Sequence, residues 1–174
     1  MDFEKITLVS MDDYVRMITL KTSVLLAASL QLGAILGGAG GGNQQHLYEF
    51  GKNLGIAFQV QDDYLDAFGD PQKFGKQVGG DILANKKTFL LLHAMQAADK
   101  VQSTALDELL QSKAADKVPK MLQLYRDCGA DTWANALKEK YYQKALGHLE
   151  EVAVLSARKQ ELKDLANYLM MRES

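Results

Sequence analysis

The segment Phe58-Gln59-Val60-Gln61-Asp62-Asp63-Tyr64-Leu65-Asp66 sets three carboxylates within five residues of a run whose other positions are largely apolar. Around it apolar residues recur at three- and four-residue spacing rather than alternating. This predicts a helix from about Gln44 to Phe68, closed by the turn residues Gly69-Asp70-Pro71. Residues four apart on a helix share a face, so Asp62 and Asp66 project side by side. Asp63 lies one step around and Gln59 one turn before Asp62. Like charges at that spacing repel by roughly 0.2–0.5 kcal/mol in water and by more when partly buried. A divalent cation converts the repulsion into binding. Hard Mg²⁺ suits the cluster, because it takes one or two protein carboxylates and completes its shell with waters and substrate phosphate oxygens. The alternative for such a string is an acidic face in solvent.

The same periodicity extends outward in both directions. With only two prolines, Pro71 and Pro119, the chain reads as all-α, a helical bundle. A first helix is predicted from the capping residues Ser10 to Asp13 through Lys21 to Leu36, stopped by Gly37, Gly38 and Gly40 to Gly42. Beyond Asp66 comes a polar loop to Asp81, then a helical stripe over Asn85 to Ala98. Segments at about 102–112, 117–127 and 131–146 follow, and a last helix over roughly 148–171. This tail carries no nucleophile or metal-ligand spacing and reads as packing faces.

Composition limits the function classes. The chain has 174 residues, 47% hydrophobic and 24% charged, which fits a soluble globular domain and excludes disordered and collagen-like chains. A net charge of −2 gives no bulk attraction to nucleic acid or an anionic membrane, so any anion must be held by local constellations. The single cysteine, Cys128, can form neither an intrachain disulfide nor a cysteine-based zinc site, which points to a reduced, cytoplasmic setting. Met1-Asp2-Phe3-Glu4-Lys5 lacks the apolar core of a secretory signal and reads as an internal start. Thr22 to Tyr48 is free of formal charge, but its apolar part, Val24 to Leu36, falls short of the ~20 residues of a spanning helix. A buried helix of a soluble protein, without stable membrane insertion, is expected there.

Three further constellations bear on chemistry. Phe74-Gly75-Lys76-Gln77-Val78-Gly79-Gly80-Asp81 and Asn85-Lys86-Lys87-Thr88 place lysines on either side of a glycine pair and an aspartate, a combination that can close over phosphate. It is not a Walker A loop, since Gln77 follows Lys76 and no glycine stands five residues before Gly75. Lys21-Thr22 sits amid Ile18, Val24 and Leu25, where an ammonium group wants an anion or must snorkel to the surface. The glycines at 37–42 fail the dinucleotide pattern, because Asn43 stands where a glycine is required. His46, His93 and His148 lie far apart and form no paired ligand motif; they and Cys128 read as structural.

Taken in order, Met17-x-x-x-Lys21-Thr22, Phe58-Gln59-x-x-Asp62-Asp63-x-x-Asp66, Gly75-Lys76-x-x-Gly79-x-Asp81 and Lys86-x-Thr88 resemble the trans-isoprenyl diphosphate synthases, strongest over residues 12–92. The resemblance implies an all-α cavity in which two aspartate-rich helices face each other and hold Mg²⁺ on an allylic prenyl diphosphate. This chain carries what is similar to the second of those helices. By that resemblance Asp62 would be the direct metal ligand, with Asp63 and Asp66 supporting it directly or through water, and Phe58 and Gln59 lying alongside. Lys21 and Lys76 would hold the allylic diphosphate and Lys86 would complete the cationic wall. Asp81 would orient the lysines or metal-bound waters, and Thr22 would contact the backbone or the diphosphate.

The departures carry as much information. A full family member is about twice this length and has a first aspartate-rich motif, followed by paired arginines, upstream of this region. Asp12-Asp13 is not that motif, and capping of the Lys21 helix accounts for it. The expectation is therefore the C-terminal part, residues 1–174, of a single all-α prenyl diphosphate synthase domain. It would come from a homodimeric prenyltransferase that joins isopentenyl diphosphate to an allylic prenyl diphosphate, and would be inactive or nearly so in isolation. A catalytically silent diphosphate-binding or regulatory subunit is the second reading.

Overall fold

The computed structural model describes residues 9–70 and 78–171. Among these residues the chain is helical and has no strand. It comprises α1 (Met11–Ile18), a π-helical turn (Thr19–Ser23), α2 (Val24–Leu36), α3 (Gly41–Phe68), α4 (Gly80–Leu83), α5 (Phe89–Ala97), α6 (Lys100–Gln111), α7 (Lys117–Asp127), α8 (Ala130–Glu151), a 3-10 turn (Ser156–Lys159) and α9 (Gln160–Met171). Two compact units share these elements. One takes residues 60–136 with the segment up to Tyr14, and the other takes 15–59 with 137–172.

In the first unit the acidic end of α3 meets α1 and α5. Ser10 and Asp13 cap α1 reciprocally: Ser10 Oγ donates to Asp13 Oδ2 at 2.6 Å and accepts from the Asp13 amide at 3.1 Å. The ring of Phe89, fully buried, takes the edge of Tyr14 at 4.5 Å, and His93 stacks on Trp133 at 4.4 Å. α4, α5 and α6 all pack on α7. Thr88 starts α5 by accepting the Leu91 amide, and Asp99 starts α6 through a capping box with Gln102.

In the second unit Phe50 and Leu54 of α3 interlock with Ala145 and Leu149 of α8 and Ala166 of α9, and Leu26 and Leu30 of α2 pack on this cluster. The approach of α2 to α3 is too close for side chains larger than glycine. A Cβ on Gly51 would lie 2.9 Å from Ala27 Cα, and one on Gly55 would lie 2.8 Å from Ser23 Cα.

The structure departs from the sequence expectation in four places. The first helix runs from Met11 to Leu36 as expected, but at Thr19–Ser23 it widens into a π-turn in which the Val24 amide reaches back to Thr19 O. Only the glycines at 37 and 38 stop α2. Gly38 adopts φ +73 while the Gly38 and Ala39 amides bond Ile35 O and Ala34 O, a Schellman closure, and Gly41 and Gly42 open α3 instead. The expected break near residue 147 is absent, and α8 runs through Gly147 to Glu151. Gly147 costs ~1 kcal/mol in a helix, and burial of Ala145 and Leu149 on either side overrides it. Finally, α2 is buried on one face only, through Ala27 and Ala34. Leu25, Leu32, Ile35 and Leu36 are exposed along one face, and only 22% of the most apolar window of Met11–Leu36 is covered. That stretch is long and apolar enough to cross a membrane by length and composition alone.

Candidate functional site

Helical spacing puts Asp62, Asp63 and Asp66 on adjoining positions of α3, and their surroundings give them different tasks. Asp63 is buried. Its Oδ2 accepts the Tyr14 hydroxyl at 2.7 Å and the Phe89 amide at 3.4 Å, tying α3 to the starts of α1 and α5. Burial, then the Asp63 charge and hydrogen bond, hold the Tyr14 phenol well above its ordinary range, so it stays a donor. Asp62 and Asp66 are partly buried.

Asp66 organises the turn that follows the undescribed segment 71–77. Its Oδ2 accepts the Asp81 amide at 2.9 Å, and its carbonyl accepts the Gly79 amide at 2.6 Å. Gly79 is left-handed at φ +86 and abuts Val118, a position that rejects a side chain on both counts. Burial raises the Asp66 carboxyl above its usual range, and the hydrogen bond from the Asp81 backbone opposes that rise. The exposed Lys86 ammonium then pairs with Asp81 Oδ1, and that hydrogen bond, ahead of an opposing desolvation, raises the lysine further. Asn85, at φ +50, makes the bend that presents Lys86. Its amide nitrogen donates to Leu110 O at 3.0 Å, and its Oδ1 accepts from the buried Lys117 at 2.7 Å. Tyr125 of α7 is also buried, and desolvation followed by the charges of Asp81, Asp63 and Asp66 raises its phenol. Within this unit a concentrated negative field thus carries Lys86 at its edge.

The other sequence-predicted residues belong to the second unit. Lys21 and Thr22 lie inside the π-turn, Lys21 exposed and Thr22 partly buried, with Ser23 packed on Gly55 behind them. π-turns inside α-helices concentrate at functional positions, and this one re-aims the two residues relative to a regular helix. Phe58 and Gln59 are partly buried on α3. Phe74, Gly75 and Lys76 fall outside the described residues. Sequence reading missed Tyr14, Asn85, Lys117 and the π-turn. Tyr14 looks like any apolar-face aromatic until the fold brings Asp63 to it, and nothing in Thr19–Ser23 marks an inserted residue.

Among the described residues no three His, Cys, Asp or Glu side chains converge as a metal cage. The chemistry of the donors nevertheless suits Mg²⁺, which needs only one or two carboxylates and takes its remaining oxygens from water and phosphate. Asp62 and Asp66 offer such a pair on one helix face.

Comparison with known proteins gives the family of the chain. The sequence model of the family described as Polyprenyl synthetase matches residues 1–128. A short chain isoprenyl diphosphate synthase of Methanothermobacter thermautotrophicus is 32% identical over 99% of the chain and 53% of its own length. A crystal structure of a geranylgeranyl pyrophosphate synthase superposes with a TM-score of 0.88 at 40% identity, over 99% of this chain and 55% of that one. A geranylgeranyl pyrophosphate synthetase from Pyrococcus horikoshii superposes with a TM-score of 0.89 at 31% identity, over 98% and 52%. The chain belongs to the polyprenyl synthetase family. It spans about half the length of the curated relatives it matches.

Proposed function

We propose that this chain is the diphosphate-ionising part of a prenyltransferase that condenses isopentenyl diphosphate with an allylic prenyl diphosphate. The observation that carries the reading is the Asp62 and Asp66 pair beside the linked Asp81 and Lys86, in a chain of this family. Asp62 and Asp66 hold the metal ion, and Asp63, through Tyr14 and Phe89, keeps the helix that presents them in place. Lys21, Lys76 and Lys86 hold the diphosphate oxygens, with Asp81 orienting Lys86. Thr22, Phe58 and Gln59 line the substrate.

Loss of diphosphate breaks the allylic C–O bond and leaves the electron pair on the departing oxygens. Mg²⁺, when bound, supplies stabilisation of that charge. The lysines add fixed positive charge at the same oxygens. The double bond of isopentenyl diphosphate then attacks the allylic carbon, and the proton lost from the adduct passes to the released diphosphate. No nucleophilic serine or cysteine enters this sequence.

The exposed apolar face of α2 supports a partner, and a homodimer is the assembly we propose. We propose a cytoplasmic, uninserted chain, a reading supported by Arg16 and Lys21 within the Met11–Leu36 stretch. The test is a radiolabelled condensation assay with isopentenyl diphosphate and short and long allylic diphosphates. The expected result is little or no product from the chain alone, which spans about half the length of the curated relatives it matches. Turnover at the rate of a complete synthase would overturn the half-enzyme reading.

A further inference from the structure

Two histidines distant in sequence meet in the second unit. His46, in the second turn of α3, and His148, near the end of α8, point their Nδ1 atoms at each other across 3.4 Å, with ring centroids 5.7 Å apart. The sequence reading took them as unrelated, and the packing of α3 on α8 corrects it. One turn from His46 is Phe50, and beside His148 are Ala145 and Leu149, all essentially inaccessible. Asn43, one turn before His46, accepts the Ala153 amide at 2.8 Å. Both imidazoles therefore stand on helices locked on either side of the pair, which is the rigidity a preorganised site requires.

Two ring nitrogens facing each other are joined either by a proton, in the tautomer where one Nδ1–H donates to the other Nδ1, or by a metal ion that takes both lone pairs. A shared proton is best accommodated with the heavy atoms ~2.9–3.0 Å apart, and 3.4 Å is long for it. A metal bonded to each nitrogen at ~2.0–2.1 Å in tetrahedral geometry sets the two nitrogens ~3.3–3.4 Å apart. We propose that His46 and His148 form a two-imidazole site for a borderline divalent transition metal of the zinc class, clasping α3 to α8. Neutral imidazole selects such ions over Mg²⁺, whose oxygen ligands lie elsewhere in this chain. Among the described residues no third His, Cys, Asp or Glu completes a cage, so water fills the remaining positions and the ion is exchangeable.

The test is a titration of Zn²⁺ into the untagged chain in buffer containing excess Mg²⁺, followed by the imidazole NMR resonances and by calorimetry. The chain has three histidines, and His93 is the internal reference. The His46 and His148 resonances should move together and saturate at one equivalent while that of His93 stays in place. His46→Gln and His148→Gln should each weaken the Zn²⁺ constant by about tenfold or more, since either leaves a single ligand and removes the intramolecular second contact. The wild-type resonances give the answer even if a variant misfolds. Independent movement of the two signals, no movement at one equivalent, or unchanged affinity in both folded variants would overturn the proposal.

Discussion

The Tyr14 hydroxyl donates to Asp63 Oδ2 at 2.7 Å inside the first unit, so the middle carboxylate of the aspartate string is a structural anchor between α1 and α3. A hydrogen bond to a buried ionised acceptor contributes about 1.5–3 kcal/mol. Tyr14→Phe should cost that much stability in urea unfolding, because Asp63 Oδ2 then loses the shorter of its bonds from Tyr14 and the Phe89 amide. A loss below ~0.5 kcal/mol would show that the anchor is not made.

His93 supplies the pH dependence. Burial holds its imidazole below the usual value of ~6.5, with the Cys128 backbone hydrogen bond opposing the shift. A folded-state value below the unfolded one gives stability that is complete above ~6.5 and is lost as the pH falls through the folded value. His93→Phe keeps a ring on Trp133 and removes the proton site. Its urea midpoint should therefore fall less than the wild type's between pH 7.5 and 5.5, read by Trp133 fluorescence. Equal falls would contradict the assignment.

Two glycines should respond oppositely to the same substitution. Gly55→Ala drives a Cβ to 2.8 Å from Ser23 Cα, a backbone atom, and overpacking of this kind costs about 1–3 kcal/mol, more than the ~0.5–1 kcal/mol gained in helix propensity. The displaced atoms belong to the π-turn that carries Lys21 and Thr22. Gly147 has open space around its missing Cβ, and Gly147→Ala should stabilise α8 by about 0.5–1 kcal/mol. Thermal or urea unfolding of both variants reads the two signs.

Asn85 combines a left-handed bend with the partner of a buried lysine. Asn85→Ala should cost about 2–4 kcal/mol, from the strained bend together with the uncompensated Lys117. In a double-mutant cycle with Lys117→Met the combined loss should be less than the sum, since the second change removes the stranded charge. Strict additivity in urea unfolding would mean that the pair does not interact.

These residues also show how far the sequence could be read. Helix periodicity reported α3 to within three residues of its start, and the spacing of Asp62 and Asp66 put both on one face. Those are local properties of a 3.6-residue repeat. The task of Asp63 was not legible, because it depends on Tyr14 arriving from 49 residues away. The π-turn was invisible for a related reason: no composition at Thr19–Ser23 marks it, and the Gly55 that Ser23 packs against stands on another helix. Propensity also misplaced the break at Gly147, where tertiary burial outweighs ~1 kcal/mol of helix cost. The pairing of His46 with His148 spans 102 residues and belongs to packing alone.

The proposed function requires this chain to hold an allylic diphosphate through a metal ion seated on the Asp62 and Asp66 face. Calorimetric titration of an allylic diphosphate into the chain, with and without Mg²⁺, tests it most directly. Binding should be Mg²⁺-dependent and weaken at least about tenfold in Asp62→Asn, while Asp107→Asn on α6 binds as the wild type does. Binding that is equal without Mg²⁺ and in Asp62→Asn, or no binding under any condition, would contradict it.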